Sequence, residues 1–219
     1  YIMEVIKKTI AAAGIILFSI PFVFLFLLSI ADSWNYPQML PHKYAVKRWL
    51  QLFQNSNGLL ENLLLSLIIA LSVALIATTV GFIISRTIAC HNKKRWLLFA
   101  CYFPLALSPV IYSLLIKYFF IRLNLSGTVG GVIIAQLIVA LPFSILLLSS
   151  FWNTNIKSLE EVSTTLGSTF PQTYFKILIP VAIPQLLICF FQTFLISWFE
   201  YGLTTIIGVG KVQTLTLKV

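Results

Sequence analysis

The sequence predicts an all-α, polytopic membrane protein, and three observations carry that prediction. Of its 219 residues, 59% are hydrophobic and only 10% are charged, against about 25% charged in soluble domains. Mean hydropathy is +0.96, more apolar surface than a soluble core of this length can bury. The charges also leave five uncharged runs, at 9–31, 62–85, 96–116, 123–156 and 177–199. Each exceeds the roughly 20 residues a helix needs to cross hydrocarbon. A Lys, Arg or Asp at the centre of such a helix costs about 2.5–3.5 kcal/mol. A signal peptide followed by a soluble domain accounts for the first run alone.

The elements follow in order. Spans are predicted at 9–31, 62–85, 96–120, 129–151 and 177–197, all within one transmembrane domain covering 1–219. Glu61 opens the second span, where a carboxylate suits the helix dipole, and Lys117 near the end of the third snorkels to the interface. Pro104, Pro109, Pro142, Pro180 and Pro184 predict kinks or early helix ends. The loop 32–58 carries Trp34, Tyr36, Pro37, Pro41, Tyr44 and Trp49, a composition suited to the membrane–water boundary. Within it, 44–53 reads as a short surface helix with Lys47 and Arg48 toward headgroups. The loop either anchors the first two spans or docks an external partner.

Orientation follows from Lys and Arg in the short loops. With the N-terminus inside, Lys7, Lys8, Arg86, Lys93, Lys94, Arg95, Lys157 and Lys176 are cytoplasmic. Lys43, Lys47, Arg48, Lys117 and Arg122 are then outside. The net charge of +9 is thereby spent on anchoring and orientation, and no single basic face for nucleic acid forms. Cys90, Cys101 and Cys189 lack a CxxC spacing, and His42 and His91 are far apart, so neither a disulfide framework nor a metal site is expected.

Within the spans, Gln136, Gln185 and Gln192 are the polar candidates for a translocation path. Interhelical hydrogen bonding is the favoured role for them over solute contact. Gln185 and Gln192, seven residues apart, share a helix face.

Between the fourth and fifth spans, 152–175 is the longest segment placed inside, and it reads as two short capped helices. Ser158 and Glu161 fit one capping box, in a helix running to Leu166 and stopped at Gly167. Thr169 and Gln172 fit a second, with Pro171 early enough to be tolerated. Pro180 is expected to interrupt the second helix near the membrane. A rigid knob of this kind transmits force from a cytoplasmic partner; an amphipathic loop lying on the inner leaflet is the alternative.

The stretch Glu160-Glu161-Val162-Ser163-Thr164-Thr165-Leu166-Gly167, followed by Ile177, Ile179 and Pro180, resembles the "EAA" signature of binding-protein-dependent ABC importer permeases. Glu161 takes the acidic position, Gly167 the glycine, and Ile177 and Pro180 the distal positions; Val162, Ser163 and Ile179 depart from the pattern. The tail Ser197-Trp198-Phe199-Glu200-Tyr201-Gly202, with Gly208 and Thr214-Leu215-Thr216, is similar to permeases for polyamines, sulfate, ferric iron, thiamine or phosphonates. The resemblance covers about 62–219.

It implies an importer permease fold whose hairpin is a coupling helix seated on an ATPase subunit through Glu160, Glu161, Ser163, Thr164, Gly167, Ser168, Thr169 and Phe170. It implies a sixth span beyond Val219, a second permease subunit of the same or similar sequence, and a solute-binding protein meeting the loops 32–58 and 200–219. The location implied is the bacterial inner membrane. No phosphate-binding loop is present, since Gly208-Val209-Gly210-Lys211 is followed by Val212. ATP and Mg are therefore expected on a partner ATPase, with no cofactor in this chain. The six acids, Glu4, Asp32, Glu61, Glu160, Glu161 and Glu200, lie outside the spans and offer no catalytic pair. An ion-coupled carrier and a non-transporting membrane scaffold are the competing classes. A carrier usually holds an ionisable group inside the bilayer for coupling, and the only charge within these spans is Lys117, near an interface.

Overall fold

The computed structural model describes residues 2–33, 43–44, 58–89, 91 and 94–218. They are overwhelmingly helical and form two compact units, 1–60 and 61–219. In the first, α1 (Ile2–Ser29) carries the first uncharged run. It is followed by β1 (Ala31–Ser33) and β2 (Lys43–Tyr44), paired antiparallel with Ala31 opposite Tyr44 and Ser33 opposite Lys43. This small ladder is not foreseen in the sequence. Tyr44 pairs as a strand where a surface helix is predicted to begin. The rest of that helix, including Lys47, Arg48 and Trp49, lies outside the described residues, as do Trp34, Tyr36, Pro37, Pro41, His42, Cys90 and Lys93.

The second unit is built around α2 (Leu59–Ala89) and α5 (Val129–Ser149), both long and apolar enough to cross a membrane. Along α5 the buried residues Val132, Gln136, Ala140, Ser144 and Leu148 recur every four residues, the stripe of a helix facing a neighbour. Against it α2 lays Ile69, Val73 and Ala77, while Leu64, Ile68, Leu75 and Ile83 point outward. Small residues let the backbones approach. A Cβ placed on Gly81 would come within 2.1 Å of Ser144 Oγ.

The third predicted span, 96–120, is not one helix. It forms α3 (Lys94–Ala106) and α4 (Pro109–Arg122), bent by 96°. Pro109 disfavours the helical region for the residue before it, and Ser108 is accordingly extended, with φ −61° and ψ 134°. The proline then opens α4, where its missing N–H costs nothing. α3 packs on α5, and α4 on α9 (Gly202–Gly208). Phe120, Ala135, Leu203 and Ile207 form the core there. By contrast Pro142 lies within an unbroken α5.

After α6 (Thr154–Thr165) and α7 (Phe170–Thr173), the chain passes through a π-helical turn, Tyr174–Leu178, into α8 (Ile179–Trp198). The interruption expected at Pro180 is absorbed by that turn. Ile179 N–H bonds to Tyr174 O, five residues back, and the helical run Phe170–Trp198 is long and apolar enough to span. Among the described residues, three helices meet that criterion, and the bent pair would make a fourth. A short α10 (Leu215–Lys218) ends the described chain, with Leu215 N donating to Ser66 Oγ of α2 at 2.7 Å.

Candidate functional site: the helical hairpin

Residues 153–173 form the predicted hairpin of two helices, but its first cap differs. The Ser158–Glu161 box does not form. α6 starts earlier, at Thr154, because Asn153 Oδ1 accepts from Ile156 N at 3.1 Å. Ser158 lies inside the helix and donates back to Thr154 O at 3.0 Å, a bond open to any mid-helix serine.

The end of α6 is as expected. Gly167 has φ +82°, its N–H bonds to Thr164 O at 3.0 Å, and Ser168 N–H bonds to Ser163 O at 3.2 Å. These two bonds define a Schellman motif. The second box is present, with Gln172 Oε1 accepting from Thr169 N at 3.0 Å.

Three hydroxyls lock the two arms together. Thr173 Oγ1 lies 2.7 Å from both Ser163 Oγ and Ser168 Oγ, and those two also bond to one another. Ser163 and Thr173 are buried. The signature residues therefore sort into two sets. Ser163, Ser168 and Glu160 turn inward and hold the hairpin's shape; Glu161, Thr164, Gly167, Thr169 and Phe170 are exposed. So are Val162 and Leu166, the latter 82% exposed. The outer face of the knob thus sets three apolar side chains, Val162, Leu166 and Phe170, among threonines and one carboxylate, at Glu161.

The base of the hairpin is fixed to the end of α2. Trp152 Nε1 donates to Ser85 Oγ at 2.9 Å, and its ring stacks on Phe82 with centroids 5.2 Å apart. Tyr174 meets Phe82 from the other arm at 5.8 Å. Arg86, in the last turn of α2, forms an ion pair with Glu160 of α6. Its guanidinium also sits 4.6 Å from the ring centroid of Phe170 on α7. Sequence reasoning used Arg86 for orientation alone and missed this contact. The available signal was a lone arginine at the end of one span and an acidic pair in a loop on the same membrane face.

The polar residues proposed for the path are not brought together. Gln136 is 3% exposed; its Nε2 donates to Thr204 Oγ1 at 3.1 Å and its Oε1 accepts from Ser197 Oγ. It ties α5, α8 and α9, the interhelical role favoured from sequence. Gln185 is partly buried and donates to Leu147 O at 3.4 Å. Gln192, on α8, is exposed. Near Gln136, Glu200 is held between α8 and α9, with Oε1 accepting from Leu203 N at 2.9 Å. Burial pushes its carboxyl up from the usual carboxylate value, partly offset by the N–H groups of Leu203 and Gly202.

No protein-family model matches the chain. Over 152 residues it is 30% identical to a protein named as a sulfate transport system permease from Helicosporidium sp. subsp. Simulium jonesii, covering 63% of this chain and 56% of that one. Over 148 residues it is 24% identical to a protein named as an ABC transporter permease from Streptomyces antibioticus, covering 67% and 63%. The chain thus spans about three fifths of the length of the curated relatives it matches. Both names agree with the resemblance read from the hairpin motif and the tail.

Proposed function

We propose that this chain, similar to ABC transporter permeases over 63–67% of its length, is the membrane subunit of an ATP-driven importer. In this reading the hairpin is the coupling element. Its outer face, Glu161, Val162, Thr164, Leu166 and Phe170, seats in a groove on a cytoplasmic ATPase that supplies the ATP and Mg site. Alternating access is driven by closure of that ATPase and reaches the spans through 152–175. A second permease subunit completes the pathway, and a solute-binding protein delivers a small polar solute at the opposite face. The membrane is the bacterial inner membrane, with the N-terminus and hairpin cytoplasmic.

One observation carries the reading most. The hairpin is capped, cross-bonded and anchored at its base, yet it presents Leu166 and Phe170 to solvent at 82% and 57% exposure. A connector has no need of such rigidity, and an apolar tip of this kind marks a docking surface. Of the three glutamines, Gln192 is the most exposed, since Gln136 is spent on Thr204 and Ser197 and Gln185 is half-buried against Leu147 O.

The test is a photo-crosslinking residue at Thr164 or Thr169 in whole cells, with Arg122 as the outward control. A specific adduct with an ATPase, lost on Gly167→Leu, is the expected result. Labelling of the hairpin by lipid alone would overturn it.

A further inference from the structure

The hairpin is covalently continuous with α5 and α8, so any displacement of it pulls those two helices directly. No peptide link joins it to α2, which precedes it by the whole of α3, α4 and α5. A movement of the hairpin reaches α2 only through side chains.

Arg86 is placed to make that connection. It lies in the last turn of α2 and takes hold of both arms at once, α6 through the Glu160 carboxylate and α7 through the face of Phe170. The ion pair is partly shielded, each side chain being 23% exposed, so salt screens it less than a surface pair. Guanidinium suits this double task, because its plane stacks on an aromatic ring while its edge pairs with a carboxylate. Its Nε is buried and makes no hydrogen bond.

We propose that Arg86 is a positioning residue that grips the hairpin to the end of α2, so that the hairpin, α2, α5 and α8 move as one body. The proposal rests on the hairpin being the coupling element. Its local half, the grip itself, stands independently of any ATPase. Glu160 and Glu161, adjacent in sequence, then have opposite tasks: Glu160 faces inward to Arg86, and Glu161 faces outward to the partner.

Two readouts test it on the full chain in lipid nanodiscs. Spin labels on unnatural residues at the exposed positions Leu166 and Leu75 report the distance from the hairpin tip to α2. The expected result is a narrow distribution that broadens in Arg86→Gln and in Glu160→Gln. Arg86→Lys, which keeps the charge but loses the planar stack, should fall between. Distributions unchanged in all three variants overturn the grip.

The second readout uses the chain with its partner ATPase in proteoliposomes. ATP hydrolysis should continue in Arg86→Gln, while solute moved per ATP falls about fivefold or more, the lower range of a site-to-site coupling. An unchanged ratio overturns the transmitting role. If the unsubstituted chain recruits no ATPase, the importer reading fails, and the distance measurement still decides the grip.

Discussion

The indole Nε1 of Trp152 donates to Ser85 Oγ at 2.9 Å, with Trp152 5% and Ser85 0% exposed. The same hydroxyl donates onward to Phe82 O at 2.8 Å, so both ends of a short chain of bonds are buried. Ser85→Ala leaves the indole N–H without an acceptor and is expected to cost about 1–3 kcal/mol. Trp152→Phe removes the donor instead. The double variant should therefore be less destabilised than the sum of the two singles. Unfolding is followed in detergent by the reactivity of the buried Cys189 thiol, with Cys90 and Cys101 replaced by serine. Strict additivity would show that the bond contributes nothing.

The contact of α2 with α5 turns on one missing methyl group. Ser144 Oγ donates to Ala77 O at 2.7 Å through the space that a side chain at Gly81 would fill. Gly81→Ala brings a Cβ to 2.1 Å from that oxygen and 2.9 Å from Ser144 Cβ. The helices must separate or the serine must leave its bond, at a cost of about 1–3 kcal/mol for overpacking. Because Ser144 Cβ is itself too close, Ser144→Ala should rescue only in part, and Ser144→Gly more fully. Equal thermal stability of Gly81→Ala and the unsubstituted chain would contradict the close approach.

What the sequence made legible here was local. Gly167 as a stop, Thr169 with Gln172 as a cap, and the break before Pro109 each depend on residues within a few positions of one another. The Ser158–Glu161 pattern misled because serine followed three residues later by glutamate also occurs within helices. Asn153 offered an equally good cap five residues earlier. The grip of Arg86 on Glu160 joins residues 74 positions apart, and neither hydrophobic period nor motif spacing records such a pairing. The π-helical turn was hidden for another reason: Pro180 announces a lost hydrogen bond without saying whether the helix breaks or widens to accommodate it.

Gly167 separates conformational cost from steric cost. Its φ is +82°, and a Cβ there would meet nothing within 4 Å. Gly167→Ala is therefore penalised by backbone strain alone, about 1–2 kcal/mol. Gly167→Asn, which enters the left-handed region more readily, should cost less, and Gly167→Val more. If the hairpin seats on an ATPase as proposed, crosslinking from Thr164 should follow the same order. A bulk-dependent series, with Asn worse than Ala, would mean that packing against a neighbour sets the requirement.

Glu200 gives a pH dependence whose sign can be worked out. Burial raises its folded-state pKa above the reference value of 4.5, against the opposing N–H groups of Leu203 and Gly202. Below that reference value both folded and unfolded chains hold the proton, and the group's stabilising contribution is fully present. As pH rises from 4.5 through the folded-state pKa, the unfolded chain releases its proton first, so this contribution is lost. Glu200→Gln keeps an oxygen to accept from Leu203 but carries no charge at any pH. Calorimetry across pH 4.5 to 7 should therefore show the Gln variant gaining on the unsubstituted chain as pH rises, with its larger advantage at pH 7. Comparison at each pH cancels the titration of the remaining groups. A difference that stays flat over the range, or shrinks toward pH 7, would mean that the Glu200 carboxylate is not penalised by its surroundings between α8 and α9.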